Sequence, residues 1–368
     1  MKIVPKVALV IPVVLVAALL TITGCSKDEQ KPKVSDNNTE MPTFTLATSE
    51  YPSWSTFMVA RKAGLIGKDG GEPGSLEKKW GVRIKLEVKD YDPCITMFGN
   101  GSVDACCLTN MDSLNPALGR PCTAIMPTST SVGADKVIAV GIDDIAALKG
   151  KKTHGLSKSV SQFMFVRVLQ SKGLDPKDYP FDNLDPAAAA TALQTGSKDV
   201  QSICVWNPFA LQTLRTNKQA KTLFDSSAIP EEIIDMVVMG NDSLKKEGGE
   251  KFACLVCDIY YNVCQRMDNP KSADLTFKAL GEDFSNLSAD DMRICCKETR
   301  FYSTPEAGTK LFQNTDFQTK TMPTVVKTCQ AIGILDNGKA PTIGFGDATK
   351  QLNFDTQYMK KVAAGLSK

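Results

Sequence analysis

The chain has 368 residues, enough for two ordinary domains or for one domain built as two lobes. With 42% hydrophobic and 23% charged residues it can bury a sizeable core, which excludes disorder throughout. Lys and Arg number 43 against 41 Asp and Glu, and no basic block stands out, so nucleic-acid binding has little electrostatic support.

Lys2 and Lys6 flank the start of an apolar run, Val7 to Thr23, in the pattern of an export signal. The run ends in "LTITGC", which resembles the lipobox of bacterial lipoproteins, with Ile22-Thr23-Gly24 before Cys25. That resemblance implies a signal peptide over 1–24, cleavage before Cys25, and acyl chains on Cys25 that anchor the chain in a bilayer. An uncleaved membrane helix is the competing reading, because the run is near the spanning minimum. The polar stretch "SKDEQKPKVSDNNTE" that follows has the composition of a flexible tether, expected over 25–41. Loss of Lys2 and Lys6 with the leader leaves 41 charges of each sign.

From residue 43 the chain alternates strand-like and helix-like segments, which predicts an α/β fold with a mainly parallel sheet. "TFTLATS" reads as a short strand, and from Ser53 the apolar Trp54, Phe57, Met58 and Leu65 recur at helical spacing. "GKDGGEPGSLEKK" contains a surface loop, "VRIKLEVKDY" alternates as a second strand, and "DPCITMFGNGSVDACCLTNMD" gives helix, glycine turn, strand and loop. "LKGKKTHGLSKSVSQFMFVRVLQSKGL" then runs strand, polar loop, helix, and "DPAAAATALQTGSKDVQSICVWNPFA" runs helix, glycine turn, strand, loop. Gly101-Ser102 and Asp104 in "FGNGSVDACC" align with Gly196-Ser197 and Asp199 in "LQTGSKDVQS", which supports two similar lobes.

Taken in order, "YPSWSTFMVARKAGLI", "GNGSVDACCLTNMD", "LKGKKTHGLSKSVSQF", "ALQTGSKDV" and "VWNPFA" resemble the type II periplasmic substrate-binding proteins of ABC transporters. The branch is the one holding nitrate-, sulfonate- and taurine-binding proteins and their pyrimidine-precursor-binding relatives. The resemblance covers about 43–330 and implies two hinged three-layer α/β lobes that close over one small ligand. It places lobe 1 at 42–141 plus 229–335 and lobe 2 at 142–228, and leaves 336–368 as a C-terminal tail with a helix. The partners it implies are a small-molecule ligand and an ABC permease with its ATPase.

Ligands of open α/β sheets bind beyond the carboxyl ends of strands, which directs attention to four loops. In "SEYPSW", Ser49, Glu50 and the amides of the following helix offer hydrogen bonds, while Tyr51 and Trp54 offer flat apolar walls. Trp54 also fits an ordinary core position. "TNMDSLNP" supplies Thr109, Asn110 and Asp112; "GLSKSVSQF" supplies Ser157, Lys158, Ser159, Ser161 and Gln162; "VWNPF" supplies Trp206 and Asn207. Asp235 stands beside a strand that returns the chain to lobe 1. Each polar residue here has a competing role as a helix cap or turn former. Glu50, Asp112, Asp185 and Asp235 face few bases, chiefly Lys158, so a neutral or cationic nitrogen compound competes with an anion for the site.

Catalysis finds little support. His154 is the only histidine, no GxSxG occurs, and no phosphate loop, HExxH or EF-hand pattern is present, so neither metal nor cofactor is expected. An enzyme resembling the pyrimidine synthases of this fold, which use an active-site histidine, and a ligand-sensing lipoprotein are the alternatives. Besides Cys25 there are eleven cysteines at irregular spacing, an odd number that cannot all pair within the chain. Cys254 and Cys257 lie in a helix-like stretch without a second CxxC or a nearby histidine, and are expected to be buried thiols.

Overall fold

The structure, a computed structural model, describes residues 40–366. The export signal, Cys25 and nearly all of the tether lie outside the described residues. Among the described residues thirteen strands form: β1 (Thr43–Thr48), β2 (Arg83–Val88), β3 (Ala105–Thr109), β4 (Cys122–Ser131), β5 (Asp135–Ala139), β6 (Thr153–Gly155), β7 (Phe181–Asn183), β8 (Ser202–Trp206), β9 (Lys221–Asp225), β10 (Ile234–Gly240), β11 (Thr299–Phe301), β12 (Ile343–Phe345) and β13 (Leu352–Phe354). They make an eight-stranded sheet ordered β12-β13-β4-β10-β3-β1-β2, with β11 also on β4, and a five-stranded sheet ordered β7-β6-β8-β5-β9. The fold is α/β and two-lobed.

The helices that matter for the site are α1 (Thr56–Lys62), α2 (Tyr91–Gly99), α3 (Val160–Ser171), α4 (Pro186–Gln194), α5 (Phe209–Thr216), α6 (Gly249–Asp268), α7 (Ala289–Lys297) and α8 (Gln357–Leu366). Both α2 and α4 run out into a glycine with positive φ, Gly101 at +79° and Gly196 at +74°. A left-handed residue there ends the helix and turns the chain toward the next strand, and glycine adopts it without Cβ strain. The repeated Gly-Ser pair thus marks the same turn in each lobe.

The first sheet is parallel through β2-β1-β3, and β10 runs antiparallel between β3 and β4. Every residue of β10, "IDMVVMG", is buried, so its apolar run is that of a central strand covered on both faces. Helix α6 buries thirteen of its twenty residues, including Cys254, Cys257 and Cys264, and stacks Phe252 on Phe44 of β1. All eleven cysteines of the described region are free thiols, ten of them buried.

The chain crosses between the sheets twice, from β4 to β5 and from β9 to β10. Strand β5 hydrogen-bonds to β8 and β9, so Asp135–Ala139 stand in the second sheet, whereas the sequence division kept them with lobe 1. The two crossings are tied side by side. Ser131 Oγ donates to Asp135 Oδ2 at 2.6 Å and shares a hydrogen bond with Ser226 Oγ at 2.7 Å, while the Gly133 amide donates to Ser226 Oγ at 2.8 Å. Residues 343–354 of the expected tail extend the first sheet, with β13 parallel to β4, and α8 buries Tyr358, Met359 and Val362.

Candidate ligand-binding site

Strand register brings the site together. Asp235, near the start of β10, pairs with Thr109 at the end of β3 and with Ser129 near the end of β4. Asp135, at the start of β5, pairs with Trp206 at the end of β8. The carboxyl ends of β1, β3, β4 and β8 and the amino ends of β5 and β10 therefore converge where the sheets face each other. A small cavity lies there, about 10 Å³, lined by Tyr51, Trp54, Ile233 and Asp235 from one lobe and Asp135, Val160 and Trp206 from the other, with Tyr91 and Thr109. That volume admits about one water molecule.

Its walls are aromatic. Trp54 stacks on Tyr91 with ring centroids 5.4 Å apart, Tyr51 packs on Trp54 at 5.0 Å, and Tyr91 meets Trp206 edge-on at 5.8 Å. The last contact joins the lobes, so the cleft is closed. Tyr91 and Trp206 also line a wider mouth of about 650 Å³, with Ser49, Glu50, Lys89, Asp90, Asp92 and Asp185 on its rim.

Three buried carboxylates gather here. Asp235 Oδ2 accepts from Ser129 at 2.5 Å, and Asp135 Oδ2 accepts from Ser131. Asp112 Oδ2 accepts from the Tyr91 hydroxyl and from Thr109 Oγ1, both at 2.7 Å. Burial pushes Asp112 and Asp135 each up to about 6 and Asp235 well above the carboxylate range, because removal from water disfavours the charged form. Hydrogen bonds oppose the shift in all three, and each carboxylate is further raised by a neighbouring one. The Val160 amide, at the first turn of α3, favours the charged form of Asp112. The helix start that could hold a ligand anion therefore already faces a carboxylate of the chain itself. Burial also raises Tyr51 and Tyr91 well above the phenol range, so both hydroxyls stay protonated.

Trp54 Nε1 and Ser49 Oγ are buried polar atoms with no hydrogen-bond partner among the described residues. Trp54 lines the cavity and is only 3% exposed, so bulk water does not satisfy its indole N–H, and the equally buried Tyr51 hydroxyl faces Asp235.

Of the residues singled out in the sequence, Tyr51, Trp54, Thr109, Trp206 and Asp235 line the cavity, and Asp112 stands behind Tyr91 and Thr109. Ser49 and Glu50 line the mouth, although Glu50 is already bonded to the Ser285 amide at 3.0 Å and its hydroxyl at 2.5 Å. Others are spent on the scaffold. Asn110 Nδ2 donates to the Glu232 carbonyl and its Oδ1 accepts from the Ile234 amide, tying β3 to the return crossing. Ser159 caps α3 by accepting from the Ser161 amide, and Gln162 Oε1 accepts from the Lys158 amide. Asn207 Nδ2 donates to Glu298 Oε2 at 2.8 Å, and Lys158 reaches Asp336 at 3.4 Å. Ser157 donates its amide to Asn183, and Asp185 caps α4 through the Ala187 and Ala188 amides. Sequence reading missed Tyr91 and Asp135. Tyr91 follows the second strand in "VKDYDPC", the position already searched after the other strands.

The family model described as NMT1/THI5 like matches residues 84–270, just over half of the chain. The chain belongs to the NMT1/THI5-like family. No curated protein sequence matches it. Among solved structures it is similar to the periplasmic aliphatic sulphonate binding protein SsuA from Escherichia coli, at 16% identity and a TM-score of 0.61, over 79% of this chain and 91% of that one. The alkanesulfonate-binding protein SsuA from Xanthomonas axonopodis pv. citri bound to MOPS gives 17% and 0.59, over 78% and 90%. The putative periplasmic sulfonate-binding protein SsuA from Methylobacillus flagellatus KT gives 15% and 0.62, over 89% and 95%. At these identities the likeness establishes the periplasmic-binding-protein fold for this NMT1/THI5-like chain.

Proposed function

We propose that the protein is the solute receptor of an ABC-type importer, held outside the cytoplasm by lipid on Cys25, and that it captures a small molecule by closing its lobes. The observation that carries this reading is the cavity whose walls come from both lobes, with Tyr91 of one touching Trp206 of the other. A ligand seated there contacts both lobes at once, so it favours the closed form by the difference between its contacts in the two states. The permease then has a closed surface to recognise, and its ATPase supplies the energy.

An enzyme of the same fold is the second reading, and the placement of His154 counts against it. His154 lies in β6 with Nδ1 3.4 Å from the Ser202 carbonyl, and it is not among the cavity-lining residues.

The test is a thermal-shift screen over sulfonates, nitrate, amines and pyrimidines, followed by small-angle scattering with and without any hit. A hit raises the melting temperature by an amount that grows as the logarithm of one plus the ratio of free ligand to Kd, and the scattering of the bound protein matches the closed structure. Product formation from a hit, with no dependence of import on the protein in the cell, refutes the receptor reading.

A further inference from the structure

We propose that the cleft takes an organic cation, its ammonium or amidinium head between Asp135 and Asp235 and its body against the rings of Tyr51, Trp54, Tyr91 and Trp206. This deepens the receptor reading and rests on it.

The charge of the site is one-sided. Asp135 and Asp235 line one cavity whose lining includes no lysine or arginine. Each spends Oδ2 on a single serine hydroxyl. The base whose charge reaches Asp135, Lys136, is already engaged by Glu298 at 2.8 Å and by the Gly133 carbonyl. The mouth repeats the sign, with Glu50, Asp90, Asp92 and Asp185 against Lys89. Such a funnel attracts cations and repels anions.

Carboxylates alone do not make a site. The second observation is a buried polar atom without a partner on the same wall, Trp54 Nε1, next to the Tyr51 hydroxyl that faces Asp235. The hydroxyl can accept from the head or donate to it, whereas the indole N–H only donates, which asks for an acceptor elsewhere on the ligand. Aromatic faces add attraction for a positive head. Because the closed cavity is small, the ligand enters while Tyr91 and Trp206 are apart, and its body extends toward the mouth that these two rings share.

Proton balance follows from the same groups. Asp135 is faced by Ser131, Lys136, Asp112 and Asp225, and Asp235 by Ser129, Tyr51, Asp135 and Asp112. Cys204 senses Asp135, while Cys107, Tyr260 and Tyr302 sense Asp235. One lysine, already paired, cannot neutralise these carboxylates, so in the closed site Asp235, raised well above the carboxylate range, keeps its proton, while Asp135, raised to about 6, is ionised at pH 7.5. A cation enters with its own proton, a carboxyl O–H breaks, and that proton leaves to water.

The test uses one scaffold with three heads: 3-(aminomethyl)pyridine, 3-(hydroxymethyl)pyridine and pyridine-3-sulfonate, each with a ring nitrogen as acceptor. Calorimetry on the full chain at pH 7.5 is expected to show the amine at least tenfold tighter than the alcohol, and no binding of the sulfonate. The amine should weaken about tenfold from pH 6 to pH 5, the slope for one proton released. Its heat should also change with buffer ionisation enthalpy. Asp235→Asn should abolish the preference for amine over alcohol. If that variant misfolds, the buffer dependence of the wild-type protein decides. Tightest binding by the sulfonate, or amine binding without pH or buffer dependence, overturns the cation assignment and leaves the receptor reading standing. Silence of all three heads, and of methylammonium, nitrate and methanesulfonate, counts against both.

Discussion

Replacing Asp135 by asparagine tests the electrostatics of the closed cleft without any ligand. Burial raises this carboxyl from its ordinary 3.8 to about 6 in the folded chain. Below pH 3.8 the group is protonated in both folded and unfolded chains and contributes no difference. As pH rises toward 6 the unfolded chain ionises first, and folding then has to keep the proton on. Stability from this group is therefore lost across roughly pH 4 to 6 and stays lost above it, by about 3 kcal/mol. Asparagine is nearly isosteric, cannot ionise, and its Oδ1 can accept the Ser131 hydroxyl as Asp135 does. The expected advantage of Asp135→Asn over wild type, from urea unfolding followed by tryptophan fluorescence, grows from about 1 kcal/mol at pH 4.5 to about 3 kcal/mol at pH 7.5. A difference that is flat with pH refutes the reasoning, because it means that Asp135 is hydrated in the free protein and the cleft stands open.

Trp206→Ala is expected to cost a screened ligand about 2 kcal/mol, roughly thirtyfold in affinity, with the fold intact by circular dichroism; unchanged affinity with lowered stability makes the ring a core residue only. Because Trp54 and Trp206 wall one cavity, ligand should change tryptophan fluorescence, and the change should survive Trp80→Phe. Alkylation without reductant should label all eleven cysteines of the described region after denaturation, and fewer in the native state, where ten are buried; ten cysteines blocked as disulfides refutes the free-thiol structure. Cys25→Ser should leave an unprocessed, unlipidated precursor, and a wild-type protein without acyl chains at residue 25 removes the proposed anchor.

Much of the site was legible because the chemistry sits where the general rule for α/β sheets puts it. "SEYPSW", "TNMD" and "VWNPF" each follow a strand whose carboxyl end faces the other sheet, and Tyr51, Trp54, Thr109 and Trp206 reach the cavity from there. Asp135 was not legible for the converse reason. Strand β5 runs antiparallel to β8, so its amino end faces the cleft, and only the pairing of Asp135 with Trp206 shows that. The same strand misled the lobe division, since "ADKVIAV" carries no sign of which sheet it joins. Asn110, Ser159, Gln162 and Asn207 were chosen as polar residues in the right loops. What sequence could not reveal was that backbone amides, the Glu232 carbonyl and Glu298 had already taken their hydrogen bonds.

The central strand of the first sheet sets an order on how the protein can be assembled. Strand β10 fills the gap between β3 and β4, yet more than a hundred residues, including all of β5 to β9, are synthesised between its completion and theirs. Strand β13, which covers the other edge of β4, comes more than a hundred residues later again. The second sheet is instead continuous in sequence and can form as soon as Asp225 is available. During synthesis, then, the lobe encoded in the middle is the first able to fold, and the lobe encoded by both ends remains unfinished until nearly the whole chain exists. Long-range pairing of this kind folds slowly. Under the export proposed above, that delay works in the chain's favour, because an unfinished sheet is still a thread that a translocation channel can pass.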